Sequence, residues 1–475
     1  MNKSIKKNAD IARSLMRRLN QSKNCCPHHA SGGSGSVCVS RASSGSSKTT
    51  EYAYEMTHST LRFGKGVTSE VGHDVSNFGS RRPLVITDPN VADSRAFKEV
   101  SMSLKKQGIE FDVFDDVRCE PNQKSMEKAV NFSRKKNYDI FIAVGGGSVM
   151  DTAKAAALLT SNPEAEFLDF VPEPFGRGII PKNPIFPLIA VPTTAGTGSE
   201  TTAVSIFDLP EKKSKTGFRT KFIKPTLGIV DPLNMVSMPR NVAIYSGFDV
   251  LCHALESLTA LPYYERGPRP PRPQDRPVYQ GSNPVSDVWA KEALKIIKKY
   301  FRKSIFDPSD VEARTQMTFA SSFAGMGFGN AGIHLCHGLS YPISSQGKKY
   351  YDKDYNNDHP LIPHGLSVVV TAPADFIFTV SADPEKHREA ANLLGANLPS
   401  TATPDQIGNT LADILRGFMK DFNCPNGLSA MGFDRSDVDD LSSAAIEFIK
   451  ANAIAPRDSD LESLSRIYES SLTVY

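Results

Sequence analysis

Asp139-Ile-Phe-Ile-Ala-Val144, running on through Gly145-Gly146-Gly147-Ser148-Val-Met-Asp151-Thr-Ala-Lys154, decides how this chain folds. The apolar run has no polar alternation, so both of its faces must be covered, as in a parallel strand inside a sheet. It stops at three glycines and passes into helical spacing. Backbone N–H groups at the start of that helix, reinforced by the helix dipole, converge on one point and favour a phosphate or pyrophosphate. Glycine lets such a group come close. The pattern is not G-x-G-x-x-G, and no P-loop Lys-Ser/Thr follows it. By itself it leaves two readings open, a nucleotide site and a tight strand–helix turn without a ligand.

On its N-terminal side, Pro83-Leu-Val-Ile-Thr87 reads as a buried strand ending at Asp88, and residues 97–108 have helical spacing closed by Gly108. Residues 110–117 read as a second strand and 125–136 as a helix. Pro187-Leu-Ile-Ala-Val191 reads as a further strand before a Thr/Gly-rich loop. This rhythm predicts a parallel sheet with helices on both faces. Beyond Ser246 strand signals fade. Helical patterns cover 247–261, 285–303, 311–327, 386–395, 406–421, 436–452 and 460–470, predicting a helical second domain. Between the first two, residues 263–284 interleave Pro268, Pro270, Pro271, Pro273 and Pro277 with Arg266, Arg269, Arg272 and Arg276, which favours an extended loop.

The 475 residues carry a formal charge of +3, but unevenly. Residues 1–50 hold nine Lys/Arg and one acid, so the remainder carries −5, and a nucleic-acid reading loses its support. The basic, Ser-rich, nearly acid-free leader is that of a mitochondrial transit peptide, with Ile5, Ile11, Leu15, Met16 and Leu19 able to share one helical face. A disordered cytosolic tail is the plainer alternative. No stretch approaches the ~18 uninterrupted apolar residues of a membrane span. Cys119, Cys252, Cys336 and Cys424 are scattered without C-x-x-C spacing, which disfavours a disulfide framework or a thiolate zinc site.

Three further stretches carry candidate chemistry. Pro192-Thr193-Thr194-Ala-Gly196-Thr197-Gly198-Ser199-Glu200 places hydroxyls and glycines at a strand end, as a phosphate- or sugar-contacting wall or as a capped polar loop. Asp88, at its own strand end, is placed either to accept ribose hydroxyls, favouring NAD over NADP, or to cap a helix. It precedes the Gly-rich turn, whereas the usual Rossmann acid follows it. In Gly247-Phe-Asp249-Val-Leu-Cys-His253-Ala-Leu-Glu256, Asp249 and His253 are spaced i,i+4 and project from one helical face, able to chelate one ion. With His337 and His364 they make one carboxylate and three imidazoles, a set for iron or zinc. The plainer reading keeps the histidines as buried, hydrogen-bonded helix residues.

Taken together and in order, these segments resemble the iron-containing (group III) alcohol dehydrogenase family over about residues 55–470. Gly145–Lys154 matches its Gly-Gly-Gly-Ser-x-x-Asp-x-x-Lys, and Pro192–Glu200 its Pro-Thr-Thr-x-Gly-Thr-x-x-Glu. Asp249 and His253 match its Asp-x-x-x-His, and His337 and His364 its two later metal histidines. The resemblance implies an α/β Rossmann-like dinucleotide-binding domain over 51–240. It also implies an all-α, metal-binding catalytic domain over 241–475, with the cleft between them. It implies catalysis through a divalent metal (Fe2+ or Zn2+) on Asp249, His253, His337 and His364. Tightly bound NAD(H) is implied at Asp88, Gly146, Gly147, Ser148, Asp151, Thr193, Thr194, Thr202 and Lys215. Lys215 sits in a charge run that otherwise reads as solvated surface.

The basic leader, the Pro/Arg insertion and residues 329–344 point to a mitochondrial matrix branch of the family. That branch oxidises 4-hydroxybutyrate to succinate semialdehyde while reducing 2-oxoglutarate to 2-hydroxyglutarate. A dehydrogenase that releases NADH each turnover is the alternative. The partners implied are small hydroxyacids and 2-oxoacids, not nucleic acid or membrane, with room for a homo-oligomer. Small carboxylates call for a positive anchor, for which Lys348, Lys349, Lys353 and the arginines of 263–284 are candidates. Where many members carry a histidine four residues past the third ligand, this chain has Tyr341. A phenol of ordinary pKa near ~10 is a poor base at neutral pH. His334, His359 or water is left to relay the proton.

Overall fold

Ile140–Gly145 is buried at every position, because neighbours flank it in the sheet and helices cover both faces. The computed structural model describes residues 50–357 and 359–475. The expected transit peptide, apart from Thr50, lies outside them. In chain order the main sheet is built from β1 (Thr60–Phe63), β2 (Pro83–Ile86), β3 (Asp112–Phe114), β4 (Ile140–Gly145) and β5 (Leu188–Pro192), and is completed by Leu227–Val230. Between those last two, β6 (Val204–Leu209) and β7 (Ser214–Arg219) form a separate antiparallel hairpin, which makes Leu227–Val230 β8. The spatial order is β1-β8-β5-β4-β2-β3, with every neighbouring pair parallel.

Alternation along the strands divides the core. Leu84, Ile86, Phe141, Ala143, Leu188 and Ala190 pack on one face, and Val85, Ile140, Ile142, Val144, Ile189 and Val191 on the other. Each of the larger side chains among them, fully buried, contributes roughly 1.5–3 kcal/mol, and each alanine less than about 1 kcal/mol. The covering helices are α1 (Val71–Asn77), α2 (Arg95–Lys106), α3 (Gln123–Ser133) and α4 (Gly147–Ser161). Ser94 caps α2 by accepting from the N–H of Phe97, and Asn122 and Ser125 form a reciprocal capping box on α3.

From Arg240 onward the chain is helical: α5 (Arg240–Thr259), α6 (Pro284–Phe306), α7 (Val311–Ala331), α8 (Leu335–Gln346), α9 (His364–Val369), α10 (Ala372–Thr379), α11 (Pro384–Leu393), α12 (Pro404–Asp421), α13 (Val438–Asn452) and α14 (Leu461–Ser470). Helix α5 is buried along nearly its whole length, with Phe248 edge-on to Phe301 and Phe422. Among the described residues no helix is long and apolar enough to cross a membrane. Cys119, Cys252, Cys336 and Cys424 are free thiols.

The structure departs from the sequence reading in several places. The strand expected over 110–117 shrinks to Asp112–Phe114, at the sheet edge where only one neighbour pairs with it. The helix expected from 247 starts at Arg240, directly after Pro239. β1 and β8 have too few residues to give a period, and β7 was hidden by its charges. Helices α8, α9 and α10 lie outside the helical patterns of the sequence, and His337 falls in the first turn of α8.

Candidate metal and dinucleotide site

Asp249, His253 and Glu256 follow one another at i, i+4 and i+7 on α5, so one face of a buried helix presents two acids and an imidazole. His337 comes from the first turn of α8, and His364 is the first residue of α9. Gly365 explains how α9 comes so near. A Cβ there would lie 1.8 Å from the carbonyl oxygen of Tyr245, so only glycine lets α9 rest on α5 and carry His364 to Asp249.

Three imidazole nitrogens converge on one carboxylate oxygen. Asp249 Oδ1 lies 3.6 Å from His253 Nε2, 3.3 Å from His337 Nε2 and 3.6 Å from His364 Nε2. Metal–ligand bonds of ~2.0–2.1 Å place neighbouring donors of a tetrahedral set about 3.3 Å apart, so these separations fit a bound divalent ion. Asp249, His253 and His337 offer ligand atoms all within 4.8 Å of one another, and His364 joins them through the shared Asp249 oxygen. The side chains of the first three are at most 5 % exposed and that of His364 is 24 % exposed, so the site opens on the His364 side. His253 lies flat between Phe328 (centroids 3.9 Å apart) and His337 (4.4 Å).

Behind this cluster, Glu256 takes Nδ1 of His337 and also accepts from the backbone N–H of His334. This fixes the ring with Nε2 turned toward Asp249, the carboxylate–histidine arrangement that supports a metal. Burial resists protonation of His337, but Glu256 and Asp249 outweigh it and hold the ring up to about 10. Burial also raises the cost of the carboxylates, yet the surrounding imidazoles keep Glu256 at about 2 and Asp249 well below the usual range. His253 goes the other way, to about 3, because burial outweighs Asp249. Two buried carboxylates among imidazoles call for positive charge, which a bound cation supplies by displacing a proton.

The four candidate ligands line one cleft, of ~720 Å³ free space, with Gly147, Ser148, Asp151, Thr202 and Lys215. At its sheet side, α4 begins with Gly147 as its first residue. A Cβ on Gly147 would lie 2.5 Å from Thr197 Cγ2, so the glycine also lets the β5 loop close over the helix start. Ser148 Oγ accepts from the N–H of Glu120 at 3.0 Å, and Glu120 pairs with the buried ammonium of Lys215. The charge run 212–215 is therefore not uniformly solvated: Lys215 faces inward while Lys212 and Lys213 are exposed. Asp151 is engaged by protein groups, accepting from Ser199 Oγ at 3.0 Å and the N–H of Ile206 at 2.9 Å.

Asp88, Gly146, Thr193 and Thr194 do not line the cleft. They follow or close β2, β4 and β5, neighbouring strands at the same carboxyl edge of the sheet. Asp88 caps its own turn, accepting from Asn90 N–H at 2.8 Å and Val91 N–H at 3.1 Å. Of the expected carboxylate anchors, none lines the cleft. Lys348 pairs with Asp437, Arg266 and Arg276 with Glu51, and Arg272 with Asp275, while Arg269 lies over the Tyr52 ring. His334 sits behind the ligands, 3.1 Å from Thr259 Oγ1, and neither it nor His359 lines the cleft. Tyr341 does, and burial pushes its phenol well above its ordinary value.

Sequence reading assigned no role to Glu256, Glu120, Phe328 or Tyr279. Glu256 was legible as the next position on the Asp249/His253 face. Glu120, in a loop before α3, had no local signal.

Two family profiles match the chain: iron-containing alcohol dehydrogenase over residues 58–232, and the C-terminal domain of the Fe-containing alcohol dehydrogenase family over 278–472. A relative from Caenorhabditis briggsae, named hydroxyacid-oxoacid transhydrogenase, mitochondrial, is 61% identical over 467 residues, covering 98% of this chain and 100% of its own. The Mus musculus protein of the same name is 50% identical over 461 residues, covering 97% and 98%. Among solved structures, a 1,3-propanediol oxidoreductase shares the fold with a TM-score of 0.76 at 24% identity, covering 88% of this chain and 100% of its own. An alcohol dehydrogenase from Oenococcus oeni matches with a TM-score of 0.75 at 25% identity, over 88% and 100%. With its parallel nucleotide-type sheet, its helical half and its Asp–His–His–His cluster, the chain belongs to the iron-containing alcohol dehydrogenase family.

Proposed function

We propose that this chain is a hydroxyacid–oxoacid transhydrogenase of the mitochondrial matrix, an oxidoreductase acting on CH–OH groups. 4-Hydroxybutyrate loses a hydride from its carbinol carbon and a proton from its hydroxyl, giving succinate semialdehyde; 2-oxoglutarate takes the hydride at its keto carbon and a proton on its keto oxygen, giving 2-hydroxyglutarate. The observation that carries the reading is that Asp249, His253, His337 and His364 share one cleft with the N-terminus of α4. The names of the nearly full-length relatives support the pairing of a hydroxyacid with an oxoacid. The division into a dinucleotide-binding domain up to residue 240 and a catalytic domain beyond it belongs to the same proposal.

A divalent metal, iron or zinc, on those four residues supplies Lewis-acid polarisation of the substrate oxygen, and tightly bound NAD(H) supplies the hydride carrier. The protein's own groups do the positioning. Glu256 holds His337 in one orientation, and Phe328 stacks on His253 and shields it from water. The N–H groups at the start of α4 and the ammonium of Lys215 face the place for the pyrophosphate. Tyr341 keeps its proton at neutral pH and serves as a hydrogen-bond donor at the cleft wall.

Purified protein assayed without added NAD tests this. The expected result is a stoichiometric bound cofactor and turnover that requires a 2-oxoacid. Steady release of free NADH from alcohol plus NAD, with no effect of oxoacid, overturns it in favour of an NAD-dependent alcohol dehydrogenase.

A further inference from the structure

Substrate carboxylates call for a cation near the cleft, and the β6–β7 hairpin carries one next to its wall: Arg219 is not itself a lining residue but lies over the ring of Tyr279, which is. β6 and β7 pair with Val204 opposite Arg219 and Asp208 opposite Lys215. Residues directly opposite share a face, and side chains alternate along each strand. Lys215, Gly217 and Arg219 therefore lie on the same face as Val204 and Ile206. Val204, Ile206 and Lys215 all line the cleft. Four residues of strand separate the two cations by about 13 Å. Lys215 stands beside Glu120 and Ser148, at the start of α4. Arg219 stands at the other end, its guanidinium 4.7 Å from the centre of the Phe448 ring and 5.9 Å from that of Tyr279. Phe448 in turn packs edge-on against Tyr341, with centroids 4.4 Å apart, and Tyr341 lies 6.4 Å from the His364 ring. Burial pushes the cleft-lining phenol of Tyr279 up to about 12, and the charge of Arg219 pulls it the other way.

The two substrates share one feature that this geometry can read. In 4-hydroxybutyrate the carbon that loses hydride is three carbon–carbon bonds from its carboxylate. In 2-oxoglutarate the carbon that gains hydride is three bonds from its distal carboxylate. The other carboxylate of the oxoacid has no counterpart in the hydroxyacid, so only the distal one offers a single grip for both half-reactions. We propose that Arg219 is the specificity-determining residue that binds this distal carboxylate in both, its planar fork suited to two parallel hydrogen bonds. The inference rests on the transhydrogenase reading and adds to it the residue that selects acids over neutral alcohols.

Single-turnover hydride transfer to and from the bound nicotinamide, followed by its absorbance, separates the two half-reactions. In holoenzyme, Arg219→Gln is expected to raise the half-saturating concentration of both 4-hydroxybutyrate and 2-oxoglutarate about 10- to 100-fold, with 1-butanol changed less than about twofold. Arg219→Lys is expected to recover part of the loss. Equal loss for 1-butanol and the acids marks a structural role and overturns the proposal, as does loss confined to one acid. If Arg219→Gln does not fold, Arg219→Lys decides alone: a rise selective for both acids supports the anchor, and an equal rise or no change overturns it. Wild-type enzyme inert to both acids overturns the functional reading and the anchor together. Active wild type with an unchanged Arg219→Gln overturns the anchor alone.

Discussion

Glu256 grips Nδ1 of His337 from the side of the ring opposite Asp249, whose Oδ1 lies 3.3 Å from Nε2. The imidazole is thus held between two carboxylates, one in the proposed metal set and one that aims the ring. Glu256→Gln keeps the shape and removes the charge, and is expected to weaken metal affinity about 10- to 100-fold. Chelator competition with metal analysis measures it; unchanged retention would show that the pair has no part in holding metal.

Lys215 is the test of the proposed dinucleotide side. Its ammonium is buried and paired with Glu120, so Lys215→Met leaves that carboxylate unpaired and removes a positive charge from the cleft. The fraction of protein that purifies with cofactor should fall, and the dissociation constant for NAD should rise about tenfold or more. Undiminished cofactor content would contradict this.

Gly365→Ala tests the approach of α9 to α5. The added methyl meets the Tyr245 carbonyl, so either α9 moves away, taking His364 with it, or the core strains. The expected cost is about 1–3 kcal/mol of stability together with reduced metal content. Thermal denaturation and metal analysis read the two effects separately.

Asp231 governs acid stability at the end of β8. It accepts from Gly66 N–H at 3.0 Å, Thr68 Oγ1 at 2.9 Å and Leu233 N–H at 3.0 Å, and meets Arg95 at 3.2 Å. Burial alone would raise its pKa, but these donors outweigh it and lower the value. A carboxylate lowered in the folded state stabilises above its unfolded value of ~3.9, and that contribution disappears as pH falls through the folded value. Asp231→Asn should therefore cost roughly 1–3 kcal/mol at pH 7, with the gap to wild type narrowing below about pH 4. Denaturant melts at the two pH values give the comparison.

The legible parts of this fold are those where one segment carries the whole signal. β4 with its glycines and the Asp249/His253 spacing are local patterns, and each could be placed on a strand or helix before any contact was known. What stayed hidden depends on partners. β7 reads as a surface charge run until its pairing with β6 turns Lys215 and Arg219 to one face. Lys348 and the arginines of 263–284 carry suitable charge, but Asp437, Glu51 and Asp275 take most of them up elsewhere. Composition gives the number of cations and not which of them an acid has already claimed. Gly365 looks like an ordinary residue of a Pro-His-Gly turn, and only the position of Tyr245 shows why no side chain is admitted there.

Helix α4 is buried along most of its length, including Lys154, whose ammonium is held by Ser199 Oγ, Thr202 Oγ1 and the Val204 carbonyl. Dissolved ions therefore have little access to the flanks of that helix. The positive end of its dipole opens on the cleft at Gly147 and Ser148, while protein around the body of the helix keeps mobile counter-ions from its flanks, so they screen it less than at a helix exposed along its length. Grip on the nicotinamide dinucleotide should accordingly vary little with ionic strength, which suits the proposed reaction, in which the carrier stays in place while one acid leaves and another enters.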